Sequence, residues 1–275
     1  MKFTSYNVNN HKIAVYNSEG KKNPIIFLHA NSIGAASFYK QMMSKEGEEY
    51  MYISIDYPGH GASDFSLQPR ETYTIDGLAE IMSKTIEMLD IEQCVLCGHS
   101  LGGHIALRLV SKFNNNKIKA LTLTGTSPLK NYADWSSSYK TDEIFNIFTQ
   151  PRVNDYDSSA LAQLFVKKGG LAEIVFVDNI KNTDPNFRFV LGESFKTDNT
   201  NDFELIKKLK IPVAFIEGEK DRIIDIEKIQ NTEIKNILWR QKVHIISDAG
   251  HSPMWEKPSL FNYMINQFAD EVLNA

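Results

Sequence analysis

The sequence predicts an α/β fold, with a mostly parallel sheet, helices on both faces and one helical insertion. Three observations carry this. Short apolar runs alternate with segments of helical period at both ends of the chain. Most of those runs are apolar throughout, as in strands covered on both faces. The alternation stops between about residues 128 and 205, where several short helices are expected instead. A chain of 275 residues can hold such a core with an insertion.

The elements follow in order. Lys12-Ile13-Ala14-Val15-Tyr16 alternates and fits an edge or antiparallel strand. Ile25-Ile26-Phe27-Leu28 and Met51-Tyr52-Ile53-Ser54-Ile55 read as buried strands. Thr74 is an N-cap for a helix with apolar residues at Ile75, Leu78, Ile81, Met82, Ile86 and Leu89. The strand Cys94-Val95-Leu96-Cys97 leads into a helix through Gly103-His104-Ile105-Ala106-Leu107. After the polar loop Asn114-Asn115-Asn116 comes the strand Ala120-Leu121-Thr122-Leu123. Val213-Ala214-Phe215-Ile216 and Val243-His244-Ile245-Ile246 are the last strands, and Phe261, Met264, Ile265, Phe268 and Val272 mark the last helix. Residues 1–127 and 206–275 thus form the core, and 128–205 a helical lid with short helices around 143–148, 158–166, 171–180 and 186–195. The lid carries Trp135, Tyr139, Phe145, Phe148, Phe165, Phe176, Phe187, Phe189 and Phe195, which either pack the lid itself or line an apolar cleft.

Composition narrows the function. The net charge is −4, with 42% hydrophobic and 23% charged residues. A chain without basic excess is a poor match for nucleic acid, and the balance is that of a folded domain. No apolar run reaches membrane-spanning length, and MKFTSYNVNNHKIAVY lacks a continuous apolar stretch of the signal-peptide kind, so a cytoplasmic location is expected. Cys94 and Cys97 have the spacing of a redox or metal pair. Within a strand, however, residues three apart face opposite ways, so the two thiols are expected not to meet. No metal or cofactor is expected.

Gly98-His99-Ser100-Leu101-Gly102 lies between a strand and a helix, the context a nucleophilic serine needs. The sharp turn leaves no room for side chains at the flanking glycines, and the N–H of Leu101 can stabilise an oxyanion. A serine needs a base. His251, in Asp248-Ala249-Gly250-His251-Ser252-Pro253, follows the last strand and reaches the carboxyl end of the sheet. His99 and His104 read as packing residues, His29 as a loop anchor, and His11 and His244 have no site context. Asp221 follows the strand Val213 to Ile216 and a glycine turn, and is the expected acid; Glu217 and Glu219 are its rivals, and Asp248 reads as a loop cap. The second oxyanion donor is expected at the N–H of Asn31, in Phe27-Leu28-His29-Ala30-Asn31-Ser32. Asp56-Tyr57-Pro58-Gly59-His60-Gly61-Ala62-Ser63 reads as a shaped loop without a catalytic role.

The motifs F-L-H-A-N-S, D-Y-P-G-H-G-A-S, G-H-S-L-G-G, G-E-K-D and D-A-G-H-S-P, in that order, resemble the α/β-hydrolase superfamily over nearly the whole chain. The resemblance implies its mostly parallel, eight-stranded type of sheet. A narrower resemblance is to the serine α/β-hydrolases that open N-acyl-homoserine lactones. It rests on His29-Ala30-Asn31-Ser32, the elbow with Gly102-Gly103-His104-Ile105, Thr124-Gly125-Thr126-Ser127-Pro128, Asn182-Thr183-Asp184, Asn236-Ile237-Leu238-Trp239 and the segment around His251. Ala30 stands where a glycine is usual, which would shift the oxyanion loop, and Asp221 where that group carries Glu. The expectation is a serine hydrolase acting on a small ester or lactone, as a monomer or weak homodimer away from membranes. A general carboxylesterase, a C–C bond hydrolase and a triad-bearing small-molecule receptor are the rivals. An epoxide or haloalkane hydrolase would need Asp at position 100, and a dinucleotide enzyme a G-x-G-x-x-G turn after an early strand.

Overall fold

The computed structural model describes every residue except 114, 133, 134, 136, 137, 141–144, 232, 233, 235, 236 and 275. Asn114 of the polar loop, Glu143 at the start of the first expected lid helix and Asn236 lie outside the described residues. The eight strands are β1 (Lys2–Val8), β2 (His11–Asn17), β3 (Lys22–Leu28), β4 (Tyr50–Ile55), β5 (Cys94–His99), β6 (Ile118–Thr124), β7 (Val213–Gly218) and β8 (His244–Ile246). They form one sheet in the order β1-β2-β4-β3-β5-β6-β7-β8. The pairings of β2 with β1 and β4 are antiparallel and the rest parallel. The alternating strand at Lys12 to Tyr16 is therefore antiparallel but not the edge. The edge is β1, whose residues are exposed or half-buried up to Val8 and show no apolar run in the sequence.

Side chains of the central strands divide between two cores, as the two-residue period of a strand requires. Ile26, Leu28, Cys94 and Leu96 enter one, and Ile25, Phe27, Val95 and Cys97 the other. The two cysteines are buried and free on opposite faces of β5. Burial pushes the Cys94 thiol up to about 12 and raises that of Cys97 as well, so neither forms thiolate readily. Thr74 caps the helix Ile75–Met88 by accepting the N–H of Gly77 at 2.9 Å. The helix Leu101–Lys112 follows the serine turn, and Pro258–Leu273 closes the chain.

Between β6 and β7 the chain leaves the sheet. It forms the short turn Phe145–Thr149 and the helices Asp155–Leu164, Ile174–Asn182, Pro185–Phe195 and Asp202–Lys208. The division expected after residue 205 falls inside the last of these. Three of the helices are capped by Asn154, Asp184 and Asn201, whose side chains accept N–H groups of the first turn. Among the described residues, no helix is long and apolar enough to cross a membrane.

Candidate active site

Ser100 sits between β5 and its helix with φ 53° and ψ −116°, a backbone that costs energy and is held from several sides. Its N–H donates to the Thr124 carbonyl at 2.8 Å, and its own carbonyl accepts from the Gly103 N–H at 2.9 Å and from Thr126 Oγ1 at 3.0 Å. A Cβ at Gly98 would stand 2.4 Å from the Gly102 carbonyl oxygen, and one at Gly102 would stand 2.2 Å from that of Leu28. The flanking glycines are thus required by backbone on both sides of the turn.

The other two predicted residues meet behind it. His251 Nδ1 and Asp221 Oδ2 lie 2.7 Å apart with both side chains buried. The remaining oxygen of Asp221 accepts the N–H groups of Ile223 at 2.7 Å and Ile224 at 3.0 Å. A carboxylate only accepts, so the proton in the contact with Asp221 sits on His251 Nδ1 and Nε2 is the other ring nitrogen. Nε2 is buried and meets no hydrogen-bond partner among the described residues, Ser100 Oγ included. The contact between His251 and Asp221 is closed, and His251 Nε2 and Ser100 Oγ make no hydrogen bond to each other. A Cβ on Gly125 would come within 2.8 Å of His251 Cε1. The ring therefore lies on the backbone next to Thr124, the residue that holds the Ser100 N–H.

Glu217 does not touch His251. It is fully buried, with Oε2 accepting the Gly125 N–H at 2.6 Å. Burial, reinforced by the charge of Asp221, raises its pKa well above the usual carboxyl range against the opposing Gly125 bond. Glu219 is exposed and accepts from Ser247 Oγ and the Asp248 N–H. Asp248 pairs with Lys167 and Lys257 at the surface, so the loop-cap reading gives way to an ion-pair role.

The histidines sort by burial. Desolvation lowers His29 to about 4 and pushes His60 and His99 well below the ordinary value, so all three are neutral. His29 accepts the Tyr57 N–H at Nε2 and bonds the Ala30 carbonyl at Nδ1, the expected loop anchor. His99 does more than pack, because its Nε2 bonds the carbonyl of His251 at 2.8 Å and ties down the backbone there. Ala30 is buried and takes no left-handed φ, so its methyl group imposes no backbone strain on the loop.

Ser100, Asn31 and Leu101 open onto one apolar cleft with His104, Trp135, Tyr139, Phe148, Thr149, Phe165, Leu191, Gly192, Phe195 and Ile223. Five of the predicted lid aromatics thus line it. Phe176 and Phe187 are buried without lining it, and Phe189 is half exposed. His104, read as a packing residue, lines the cleft too, and the sequence offered a signal. It lies four residues after Ser100, one turn along the same helix face. Its Nδ1 meets Asp202 Oδ2 at 2.9 Å and its Nε2 meets Tyr139 Oη at 2.8 Å. Asp202 also accepts from Tyr132 Oη at 3.1 Å and the Leu129 N–H at 3.0 Å. Asp202 and Tyr132 carry no motif and were not legible.

Residues 23–258 match the family described as alpha/beta hydrolase fold. The chain belongs to the α/β-hydrolases. The AB hydrolase superfamily protein YisY of Bacillus subtilis (strain 168) is 24% identical over 258 residues, spanning 91% of this chain and 93% of that protein. Among solved structures, a mutant of N-acyl homoserine lactonase AidH complexed with N-hexanoyl homoserine lactone superposes with a TM-score of 0.91 at 26% identity, covering 99% of this chain and 98% of that one. The esterase EaEST from Exiguobacterium antarcticum superposes with a TM-score of 0.79 at 18% identity, over 98% of this chain and 100% of that one, and shares the fold.

Proposed function

We propose that this α/β-hydrolase is a serine hydrolase that opens N-acyl homoserine lactones, with Ser100, His251 and Asp221 as its triad and residues 128–205 as a lid over the cleft. The carrying observation is the buried His251–Asp221 pair, whose ring lies against Gly125, next to the Thr124 carbonyl that holds the Ser100 N–H, with Nε2 meeting no hydrogen-bond partner among the described residues. Ser100 Oγ attacks the lactone carbonyl as His251 takes its proton. The oxyanion is held by the N–H groups of Leu101 and Asn31, of which the first opens the helix Leu101–Lys112 and gains from its dipole. Collapse breaks the ring C–O bond, and His251 returns the proton to the departing alkoxide, which stays tethered to the acyl group. Water, deprotonated by His251, then attacks the acyl-enzyme and frees N-acyl homoserine. Asp221 stabilises the imidazolium in both halves.

Two features favour an N-acyl lactone over a plain ester. The aromatic and aliphatic lining suits an acyl chain. With Nδ1–H directed at Asp202, His104 Nε2 accepts the Tyr139 proton, so Tyr139 Oη offers lone pairs to an amide N–H. The likeness to AidH points the same way.

The test is proton release from N-hexanoyl homoserine lactone in a pH-stat, beside Ser100→Ala. Release that depends on Ser100 sustains the lactonase reading. Release from p-nitrophenyl esters alone replaces it with a general esterase, and a burst with no steady state replaces it with a ligand receptor.

A further inference from the structure

We propose that Arg188, on the helix Pro185–Phe195, is a positioning residue that sets the polarity of the oxyanion loop by acting through Ser32 on Asn31. The proposal rests on the serine-hydrolase reading above.

Arg188 is 1% exposed, and its partners are all neutral. Nε donates to the Gln150 carbonyl at 2.9 Å, Nη2 to that of Pro151 at 3.3 Å, and Nη1 to that of Ile180 at 3.0 Å. These three contacts tie the segment between β6 and β7 to itself. The fourth leaves it, with Nη1 donating to Ser32 Oγ at 3.1 Å in the loop after β3. Burial lowers its pKa to about 10, which still leaves it charged at neutral pH. Among the described residues no carboxylate pairs with it. A buried guanidinium without a counter-ion is costly to keep.

The direction of the chain of bonds is forced. A guanidinium only donates, so Ser32 Oγ accepts from Arg188 and spends its own proton on Asn31 Oδ1, 2.7 Å away. The Asn31 amide is thereby oriented, with its carbonyl oxygen on Ser32 and its NH2 as the group left for the cleft. Ser32 is clamped at its backbone as well. Its N–H donates to His60 Nε2 at 3.2 Å, and its carbonyl accepts from Thr183 Oγ1 at 3.3 Å. Its φ of 66° is one a serine adopts when its surroundings hold it there. Arg188 and Thr183, both remote in sequence, thus fix the loop that carries one oxyanion donor. They add a buried positive charge two hydrogen bonds from Asn31, and so three from where negative charge develops.

The experiment compares wild type, Ser32→Ala, Arg188→Met and Arg188→Lys in the full chain. The readouts are the rate at which a fluorophosphonate labels Ser100, and kcat and KM on p-nitrophenyl butyrate. Ser32→Ala and Arg188→Met should slow labelling and kcat by about tenfold to a hundredfold, with KM within about twofold, since the effect falls on the charged intermediate. Arg188→Lys should recover part of kcat by restoring a donor and a charge. If Arg188→Met fails to fold, Ser32→Ala, which keeps the cation and removes the link, decides alone. Labelling and kcat at wild-type rate in Ser32→Ala overturn the proposal. A wild type that does not label overturns the serine-hydrolase reading, and the relay with it.

Discussion

Ser100, Asp221 and His251 stand just beyond the ends of β5, β7 and β8, whereas Trp135, Phe148, Leu191 and Phe195 reach the cleft beside Ser100 from the segment between β6 and β7. The first group is fixed by backbone. The serine turn excludes any Cβ at two glycines, Asp221 is held by two amides, and His251 lies on Gly125. The second group is fixed by side chains packing on one another, such as Phe148 on Phe165 at 5.9 Å and Trp135 on Phe195 at 6.1 Å between ring centroids. A wall set by backbone tolerates few residue types and holds its chemistry in place. A wall set by packing accepts many side chains of similar volume and can retune its ligand without disturbing the reaction.

The largest test of that contrast lies on the backbone-held side. Ser100→Ala should lower turnover by about a thousandfold or more while leaving the melting temperature near wild type. Asp221→Asn should cost on the order of a thousandfold in kcat, because it reverses the tautomer of His251. Glu217→Gln should cost less than about tenfold, since Glu217 makes no hydrogen bond to His251 and its burial already raises its pKa well above the usual carboxyl range. If Glu217→Gln proves the more damaging, the two acids have been assigned the wrong way round.

Changes on the packed side should be smaller and selective. A Cβ at Gly192 would stand 3.0 Å from Thr149 Cγ2, so Gly192→Val should push Thr149 into the cleft. The expected result is a roughly tenfold loss on long acyl chains and little on short ones, read from kcat/KM across an acyl series. Tyr139→Phe should cost about fivefold to tenfold on an N-acyl lactone, the worth of one hydrogen bond, and spare a plain ester of equal length. Equal losses on both substrates would mean that Tyr139 does not read the amide.

The smallest effect concerns stability. Glu217 binds a proton more tightly folded than unfolded. Stability therefore falls as pH rises from the unfolded carboxyl value, near 4.5, towards the raised folded value. Melting temperatures of wild type and Glu217→Gln should diverge over that interval, with the variant gaining as pH rises. The buried neutral histidines act oppositely, withdrawing stability as pH drops below their unfolded value near 6.5.

The same contrast explains what the sequence disclosed. The strands, the serine turn and the residues at strand ends were legible because sharp turns and buried strands admit few residue types. Asp221 could be chosen over Glu217 and Glu219 by its place after the glycine turn. The cleft lining was not legible, because an aromatic that packs the lid and one that faces a ligand look alike. Phe176 and Phe195 differ only in which way their helices turn them. The place of His104 at the cleft was not legible, because its partner, Asp202, is far along the chain and marked by nothing local. β1 escaped notice because an exposed edge strand needs no apolar run.

The two thiols of β5 have one more consequence. Each is sealed in a different core, and the strand that carries both ends at the turn holding Ser100. A thiol reagent in solution can react only while that strand is transiently released. Its rate of uptake in the unmodified protein is therefore a native clock for how often the mount of Ser100 comes apart, with no probe engineered in. Oxidants that act only on exposed sulfur leave the strand alone until it opens.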